Sequence, residues 1–427
     1  MAVMDLKPPS WKQLFLIGWW TMDRYKNKTA IIGDGSVRTG KTFWMGQGFV
    51  YWSMTEFDET NFLMAGKTIQ SLERNVISPL ISLLTERGYR IKYLKQEKKM
   101  TINYGGHTNY YYLFGGKDES SQDLVQGITV AGCYFDEVAI QAESFVNQAT
   151  LRALTYPNRK YWFNCNPKGP YHWFKKQWID DLGRQNAIRI KFNMYDNPIL
   201  SNEDIENIKG RYQGMFRKRY IDGDWVMAEG LVYSNFNKKT MIHDYPPINE
   251  ITNYYVSCDF GAQNPTAFLL WGNYNNTWPC LKQYYYDGRH EQHDKSITEY
   301  ANDLDTFLGD LARKAPIILD PSAKAFAIEL EQRGYTVIPA NNDVLDGIRE
   351  VQNAMNNGLI WYTPNLPDFF REKTSYAWNT KLAEKGIDKV IKKHDHLQDA
   401  ERYFVMFLVT VLLDRQDEDG GIQFGMR

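Results

Sequence analysis

Cysteine is scarce in this chain: four among 427 residues, Cys133, Cys165, Cys258 and Cys280, with no CxxC pair. So sparse a set excludes a disulfide framework and a structural zinc site, and suits a reducing compartment. Long apolar runs are also missing. The longest, Tyr403 to Leu413, has 11 residues, well short of the roughly 20 that a membrane-crossing helix needs. It reads as a buried helix, and no membrane partner is expected. The amino terminus lacks a signal-peptide pattern, because the short run Leu14–Trp20 is not followed by a small-residue cleavage site. Repeats and low-complexity tracts are absent. Charge of one sign is absent overall, with a net of −1. That balance hides an asymmetry. Residues 1–230 hold 30 Lys+Arg against 24 Asp+Glu, a net of +6, and residues 231–427 hold 20 against 27, a net of −7. A stable, sequence-independent DNA binder is usually more basic, so any DNA contact would be local and transient.

What is present supports two cores. Hydrophobic residues make up 43% of the chain, and single cores stop growing near roughly 250–300 residues. From Ile31 to about Asp224, short apolar strands alternate with helical stretches, the pattern of a mainly parallel α/β sheet. Expected strands are Ala30–Ile32, Asn61–Ala65, Thr129–Phe135 and Tyr161–Cys165. Thr68 is a helix cap ahead of Ile69, Leu72, Val76 and Leu80, with Pro79 expected to bend or break the helix. Asp204–Asp222 reads as one helix carrying Arg217, Lys218 and Arg219. The polar stretch 228–250, with Gly230, Pro246 and Pro247, reads as a linker between a first domain at 1–227 and a second at 251–413. In the latter, Tyr254–Asp259 and Thr266–Trp271 are expected to form a hairpin, followed by strands Pro316–Asp320 and Tyr335–Pro339. The acidic tail 414–427 is expected to be flexible.

Gly35-Ser36-Val37-Arg38-Thr39-Gly40-Lys41-Thr42 satisfies G-x-x-x-x-G-K-[ST], between an expected strand and a helical stretch. Its glycines let backbone N–H groups curl around phosphate oxygens, and the helix start adds positive potential. Lys41 would reach the β- and γ-phosphates of ATP, and the Thr42 hydroxyl would bind Mg²⁺. The strand ending in Asp136-Glu137 fits the partner acids: Asp136 holding Mg²⁺ and Glu137 orienting and deprotonating water. Asn164 and Asn166, closing the strand at Tyr161–Cys165, fit either a γ-phosphate sensor or an Asn-Pro turn. Arg38 and Arg152 are candidates for transition-state charge, the latter across a subunit interface, set against ordinary surface arginines.

In the second half, Asp259 and Asp320 close strands, and Asp395-His396-Leu397-Gln398-Asp399 opens the last helix. His396, Asp399 and Tyr403 share one helical face. Asp259, Asp320 and Asp399 fit hard oxygen ligands for Mg²⁺ or Mn²⁺. Two such ions would serve phosphodiester cleavage, while a solvated acidic surface is the competing reading. Asp287 is a further acid in a Tyr-rich setting. Arg217–Arg219 and Lys392-Lys393 are candidate DNA contacts, or solvated charge.

These blocks, with Gln126-Gly127, Asp196-Asn197-Pro198, Gly223-Asp224-Trp225, Glu229-Gly230, Arg402 and Tyr403, resemble the large terminase subunits of tailed bacteriophages over nearly the whole chain. The resemblance implies a P-loop ATPase domain that moves double-stranded DNA into a procapsid. It further implies a ribonuclease-H-like α/β nuclease domain that cuts concatemeric DNA. Asp259, Asp320 and Asp399 match its metal-binding acids, His396 a histidine near the site, and Asn164 and Asn166 its coupling motif. It implies a small terminase subunit and a portal protein as partners. About five copies would act on the portal, with a monomer in solution, in the host cytoplasm. Val37 and Thr39 replace smaller residues frequent in relatives. Two alternatives compete: a P-loop DNA translocase or helicase whose second domain only binds DNA, and a scaffold protein using nucleotide for assembly.

Overall fold

The computed structural model describes residues 8–261 and 264–412. Within them the chain divides into two compact units. The first runs to Gly210 and adds Met215–Ala228 and Thr380–Asp388. The second takes Arg211–Gly214, Glu229–Asn379 and the chain from Lys389 onward. The stretch 228–250 is therefore not a free linker. Leu231 bridges Ala377, Ile242 bridges Tyr362, and the Val232 N–H donates to the Tyr376 carbonyl at 2.8 Å. Polar composition misleads here because the pairing partners lie far downstream. The return of Thr380–Asp388 to the first unit is equally non-local. There Arg219, 2% exposed, donates to both carboxylate oxygens of Asp388 at 2.5 and 3.0 Å. Only Arg217 and Lys218 of that basic group face solvent, so Arg219 is not a DNA contact.

The first unit holds eight strands: β1 (Ala30–Gly35), β2 (Thr60–Gly66), β3 (Arg90–Leu94), β4 (Lys99–Tyr104), β5 (His107–Gly115), β6 (Gly132–Phe135), β7 (Lys160–Cys165) and β8 (Ala187–Phe192). Their order is β3-β4-β5-β2-β6-β7-β1-β8. From β5 to β8 every pairing is parallel, while β3, β4 and β5 form an antiparallel meander. β1, β6 and β7 are buried at every residue, as a parallel sheet covered on both faces requires. One face packs Phe49 and Trp52 of the helix Lys41–Glu56 against Phe62, Tyr134 and Trp162. A Cβ on Gly48 would stand 2.5 Å from the Leu16 carbonyl oxygen, so glycine lets the helix Trp11–Gly18 cross in direct contact. The other face buries Phe135, Phe145, Phe163, Phe174 and Trp178.

Thr68 caps its helix with a capping box. Pro79 does not end it. A wide turn at Glu73–Ile77 leads into Ser78–Glu86, with Pro79 in the first positions, where a missing N–H costs least. Asp204–Asp222, expected as one helix, is two, Asn202–Gly210 and Gly214–Tyr220. Residues 211–213 separate them, and the left-handed Gly214, φ 51°, opens the second.

The second unit holds β9 (Thr252–Asp259), β10 (Thr266–Asn273), β11 (Trp278–Tyr286), β12 (Ile317–Leu319), β13 (Val337–Pro339) and β14 (Ile360–Tyr362), in the order β13-β12-β9-β10-β11-β14. β9, β10 and β11 are an antiparallel meander, and β12 and β13 continue the sheet in parallel from β9. This is the ribonuclease-H-like arrangement. Val256, Cys258, Phe268, Leu304 and Phe326 form the core on one face. The helix His396–Phe407 covers the other, with Phe404 stacked on Trp271 at 4.3 Å. All four cysteines are free and buried. No helix among the described residues is long and apolar enough to cross a membrane. The tail 414–427 lies outside the described residues.

Candidate active sites

β1 delivers Gly35 at φ 130°, where a Cβ would stand 2.1 Å from the Phe192 carbonyl oxygen. The loop then passes through two left-handed residues, Arg38 at φ 59° and Gly40 at φ 79°, before the helix begins at Lys41. Its shape is held from several sides. The Ser36 N–H donates to Phe192 O at 3.0 Å and the Val37 N–H to Tyr220 O at 2.9 Å. The buried Gln13 amide donates to Thr39 O at 3.0 Å, and Asn197 donates to Arg38 O at 2.7 Å. Asn197 thereby gives the Asp196-Asn197-Pro198 block a task, while Asp196 pairs with Lys12 at 2.7 Å. Beneath the loop the fully buried Asp34 accepts two bonds from Arg189, 2.8 and 2.7 Å, and one from the Trp225 indole, 2.9 Å. Gly223-Asp224-Trp225 acts through that indole.

The Lys41 ammonium, on a residue 6% exposed, donates to Ser36 O at 2.5 Å, to Thr39 Oγ1 at 3.1 Å and to Asn166 Oδ1 at 3.5 Å. Burial pushes its pKa down to about 8. A desolvated cation among neutral oxygens favours an incoming anion. The Thr42 hydroxyl donates to Asp136 Oδ1 at 3.1 Å, and Asn164 Nδ2 donates to the same oxygen at 2.8 Å. Asn164 Oδ1 accepts the Glu137 N–H at 3.0 Å. One amide therefore ties both acids, and it is spent inside the site and not on the turn after it. Glu137 sits at φ 53°, a conformation costing roughly 1–2 kcal/mol of the kind that collects at working sites. Burial first, and Asp136 second, raise its pKa, which makes it a better proton acceptor. Arg152 is elsewhere. Its carbonyl accepts from Val130 ahead of β6, whereas Asp136 follows the far end of that strand.

In the second unit, β9 ends at Asp259, Asp320 follows β12, and the helix His396–Phe407 lies across that sheet edge. His396 Nδ1 is 2.8 Å from Asp259 Oδ2. The Tyr403 hydroxyl lies between the strand-end acids, 3.3 Å from Asp259 Oδ1 and 3.0 Å from Asp320 Oδ2. Burial, then the repulsion of Asp399, raise the Asp259 pKa against the His396 hydrogen bond. Asp399, 7% exposed, faces cations instead: Arg402 at 2.6 Å on Oδ1 and Lys392 at 2.8 Å on Oδ2. The expected trio is thus only partly assembled. Among the described residues no three His, Cys, Asp or Glu side chains form a ready metal-ligand set. The reason is local: Arg402, 1% exposed, needs a counter-ion in the buried helix, and Asp399 one turn earlier supplies it. Lys392 is likewise an ion-pair partner, also 3.1 Å from Asp395. Asp287 caps the short helix Gly288–Glu291.

Sequence reasoning missed Glu372. It is fully buried, accepts the Leu397 N–H at 2.8 Å at the start of the His396–Phe407 helix, and has its pKa pushed up to about 7 by burial. Gln13 and Arg189 were missed too. Gln13 carried a legible signal, the Ser10–Gln13 capping box, but its reach to the loop is tertiary.

Residues 32–240 match the family described as terminase large subunit, T4likevirus-type, N-terminal. The large terminase of a thermophilic bacteriophage is 49% identical, with a TM-score of 0.90, over 94% of this chain and 100% of that chain. The chain belongs to the large terminase family of bacteriophages. The same phage protein in complex with ADP is 48% identical with a TM-score of 0.87, over 95% of this chain and 100% of that one. Its complex with ATP-γ-S is 48% identical with a TM-score of 0.86, over 93% and 98%. No curated protein matches the chain. This terminase is a DNA-packaging ATPase and endonuclease. The translocase, helicase and scaffold readings are thereby set aside.

Proposed function

We propose that this terminase binds Mg²⁺-ATP on Gly35–Thr42. Thr42 and Asp136 would hold the ion, Glu137 accepts the proton of the attacking water, and Asn164 and Asn166 relay the state of the nucleotide. The observation carrying this is the Lys41 ammonium, 6% exposed beside the Thr42–Asp136 pair. The thermophilic phage terminase's complexes with ADP and ATP-γ-S support it. The turnover drives double-stranded DNA into a procapsid. A small terminase subunit and a portal protein are its partners, with about five copies on the portal and a monomer in solution, in the host cytoplasm.

Asp259, Asp320 and Asp399 would hold Mg²⁺ or Mn²⁺ at the nuclease site. The donor chemistry fits: three carboxylates surround Tyr403, whose titration is shifted upward by burial first and then by Asp259, Asp399 and Asp320, and Lys392 stands where positive charge is needed. When bound, two such ions would supply an activated water and stabilise the leaving oxygen. Of the chain's own groups, Tyr403 orients Asp259 and Asp320, and His396 fixes Asp259 and takes up a proton.

ATP hydrolysis and plasmid cutting, measured side by side, test both halves. Lys41→Ala should abolish hydrolysis and spare cutting, and Asp259→Ala the reverse. A folded Lys41→Ala protein lacking both activities would count against separate sites.

A further inference from the structure

The sheet end formed by β3, β4 and β5 has two unlike faces. Ile91, Met100, Ile102, Tyr111 and Leu113 point into the core. The registers place Arg90 beside Asn103, Lys92 beside Thr101 and Leu94 beside Lys99, then Thr101 beside Tyr110 and Lys99 beside Tyr112. Cross-strand partners share a face, so the opposite face carries Arg90, Lys92, Lys99, Thr101, Tyr110 and Tyr112. Arg90 and Lys92 are exposed, and the other four are half-buried. The Lys99 ammonium lies 4.4 Å from the Tyr110 ring centroid and 5.3 Å from that of Tyr112. Residues 87–99 hold six cations against the single acid Glu97. Among the described residues Arg90, Lys92 and Lys99 enter no ion pair. A lysine on an edge strand commonly serves to discourage pairing with another sheet. Here the charge extends inward to the second strand, over aromatic rings, which edge protection does not require.

We infer that this face holds the phosphate backbone of double-stranded DNA. Alternate residues on a strand stand about 6.6–6.8 Å apart, which suits successive phosphates of one strand, separated by roughly 3.4 Å along the helix axis and by the sideways step of the helical turn. Arg90 and Lys92 therefore suit neighbouring phosphates, with Lys99 one strand further in and the Thr101 hydroxyl as a neutral donor, while the Tyr110 hydroxyl donates to Glu59 at 2.7 Å and offers its ring to Lys99. Nothing on the face reads base edges, as a motor indifferent to sequence requires. The inference rests on the packaging function and adds the surface on which it acts.

The test uses the full chain in EDTA, which prevents cutting, and a 30-base-pair duplex followed by fluorescence anisotropy from about 50 to 200 mM salt. Arg90→Ala/Lys92→Ala/Lys99→Ala should weaken binding at least tenfold and lower the salt slope by roughly 2–3, with ATP hydrolysis in the absence of DNA unchanged. Arg90→Lys/Lys92→Arg/Lys99→Arg should restore binding. A control losing equal charge elsewhere, Arg24→Ala/Lys26→Ala/Arg184→Ala, should keep the slope. A platform variant indistinguishable from this control overturns the surface alone. A wild-type chain that fails to bind duplex overturns the packaging reading beneath it. Retained DNA affinity with lost binding to purified portal would assign the face to an acidic protein and overturn the inference.

Discussion

Asp136 in the first unit and Asp399 in the second are both buried carboxylates, 4% and 7% exposed, yet their partners differ in kind. Asp136 accepts from neutral donors, Thr42 and Asn164, and its pKa is raised by burial. Asp399 is held between two cations, Arg402 and Lys392. The first arrangement leaves charge unbalanced and so invites a metal-bound phosphate into a preformed loop. The second is already balanced, so a divalent ion at the proposed site would compete with a lysine for Asp399. Under the proposed roles, the contrast makes the motor site ready for its ligand and leaves the cutting site restrained by its own side chains.

The largest blow to the motor side is expected from Glu137→Ala, which removes the proton acceptor and should slow hydrolysis by about 10²–10⁴ while nucleotide binding persists. Single-turnover hydrolysis and nucleotide affinity decide it, and near-normal turnover would move the base elsewhere. On the nuclease side the corresponding buried feature is structural. Lys373 and Glu401 are both fully buried, with Tyr362 donating to Glu401 at 2.5 Å and Lys373 over the Tyr233 ring at 3.6 Å. Lys373→Ala strands a charge and should cost roughly 3–5 kcal/mol, read by chemical denaturation. Retention of full stability would mean that Glu401 does not rely on Lys373 for its burial.

Glu372 gives the contrast a pH signature. Its folded pKa, pushed up to about 7, lies above the ordinary 4.5. A raised pKa means stability present below the unfolded value and lost as pH rises toward 7. Glu372→Gln should therefore gain on the order of 2–3 kcal/mol relative to wild type between pH 4.5 and 7.5, while keeping the cap on Leu397. Parallel melting curves for the two proteins across that range would sink the idea. The smallest effect is expected at Lys392. Lys392→Ala should strengthen Mn²⁺ binding about tenfold, or about 1.4 kcal/mol, by calorimetry. Unchanged or weaker binding would show that Lys392 does not compete with the ion.

Legibility differed between the sites. The phosphate loop could be read because a contiguous octapeptide builds it, with Asp136-Glu137 at the end of an apolar strand. The acids of the second unit were also legible, at strand ends and one helix face. Their present partners were not, because Lys392, Arg402 and Tyr403 could each have pointed elsewhere. Glu372 left no local signal, since an acid in the amphipathic stretch Pro367–Lys373 looks solvated until the last helix starts on top of it.

By itself the sequence determined the alternation of strands and helices, the phosphate loop, the two cores and the positions of Asp259, Asp320 and Asp399 along the chain. Those features are periodic or contiguous, and backbone geometry converts them directly into structure. The tertiary structure alone decided that 229–250 joins the second unit, that Thr380–Asp388 returns to the first, and that Arg219 is buried while Arg90, Lys92 and Lys99 share an open face. Each depends on which distant segment covers a given side chain, and burial of charge is settled by that cover and its counter-ion, not by neighbours in sequence.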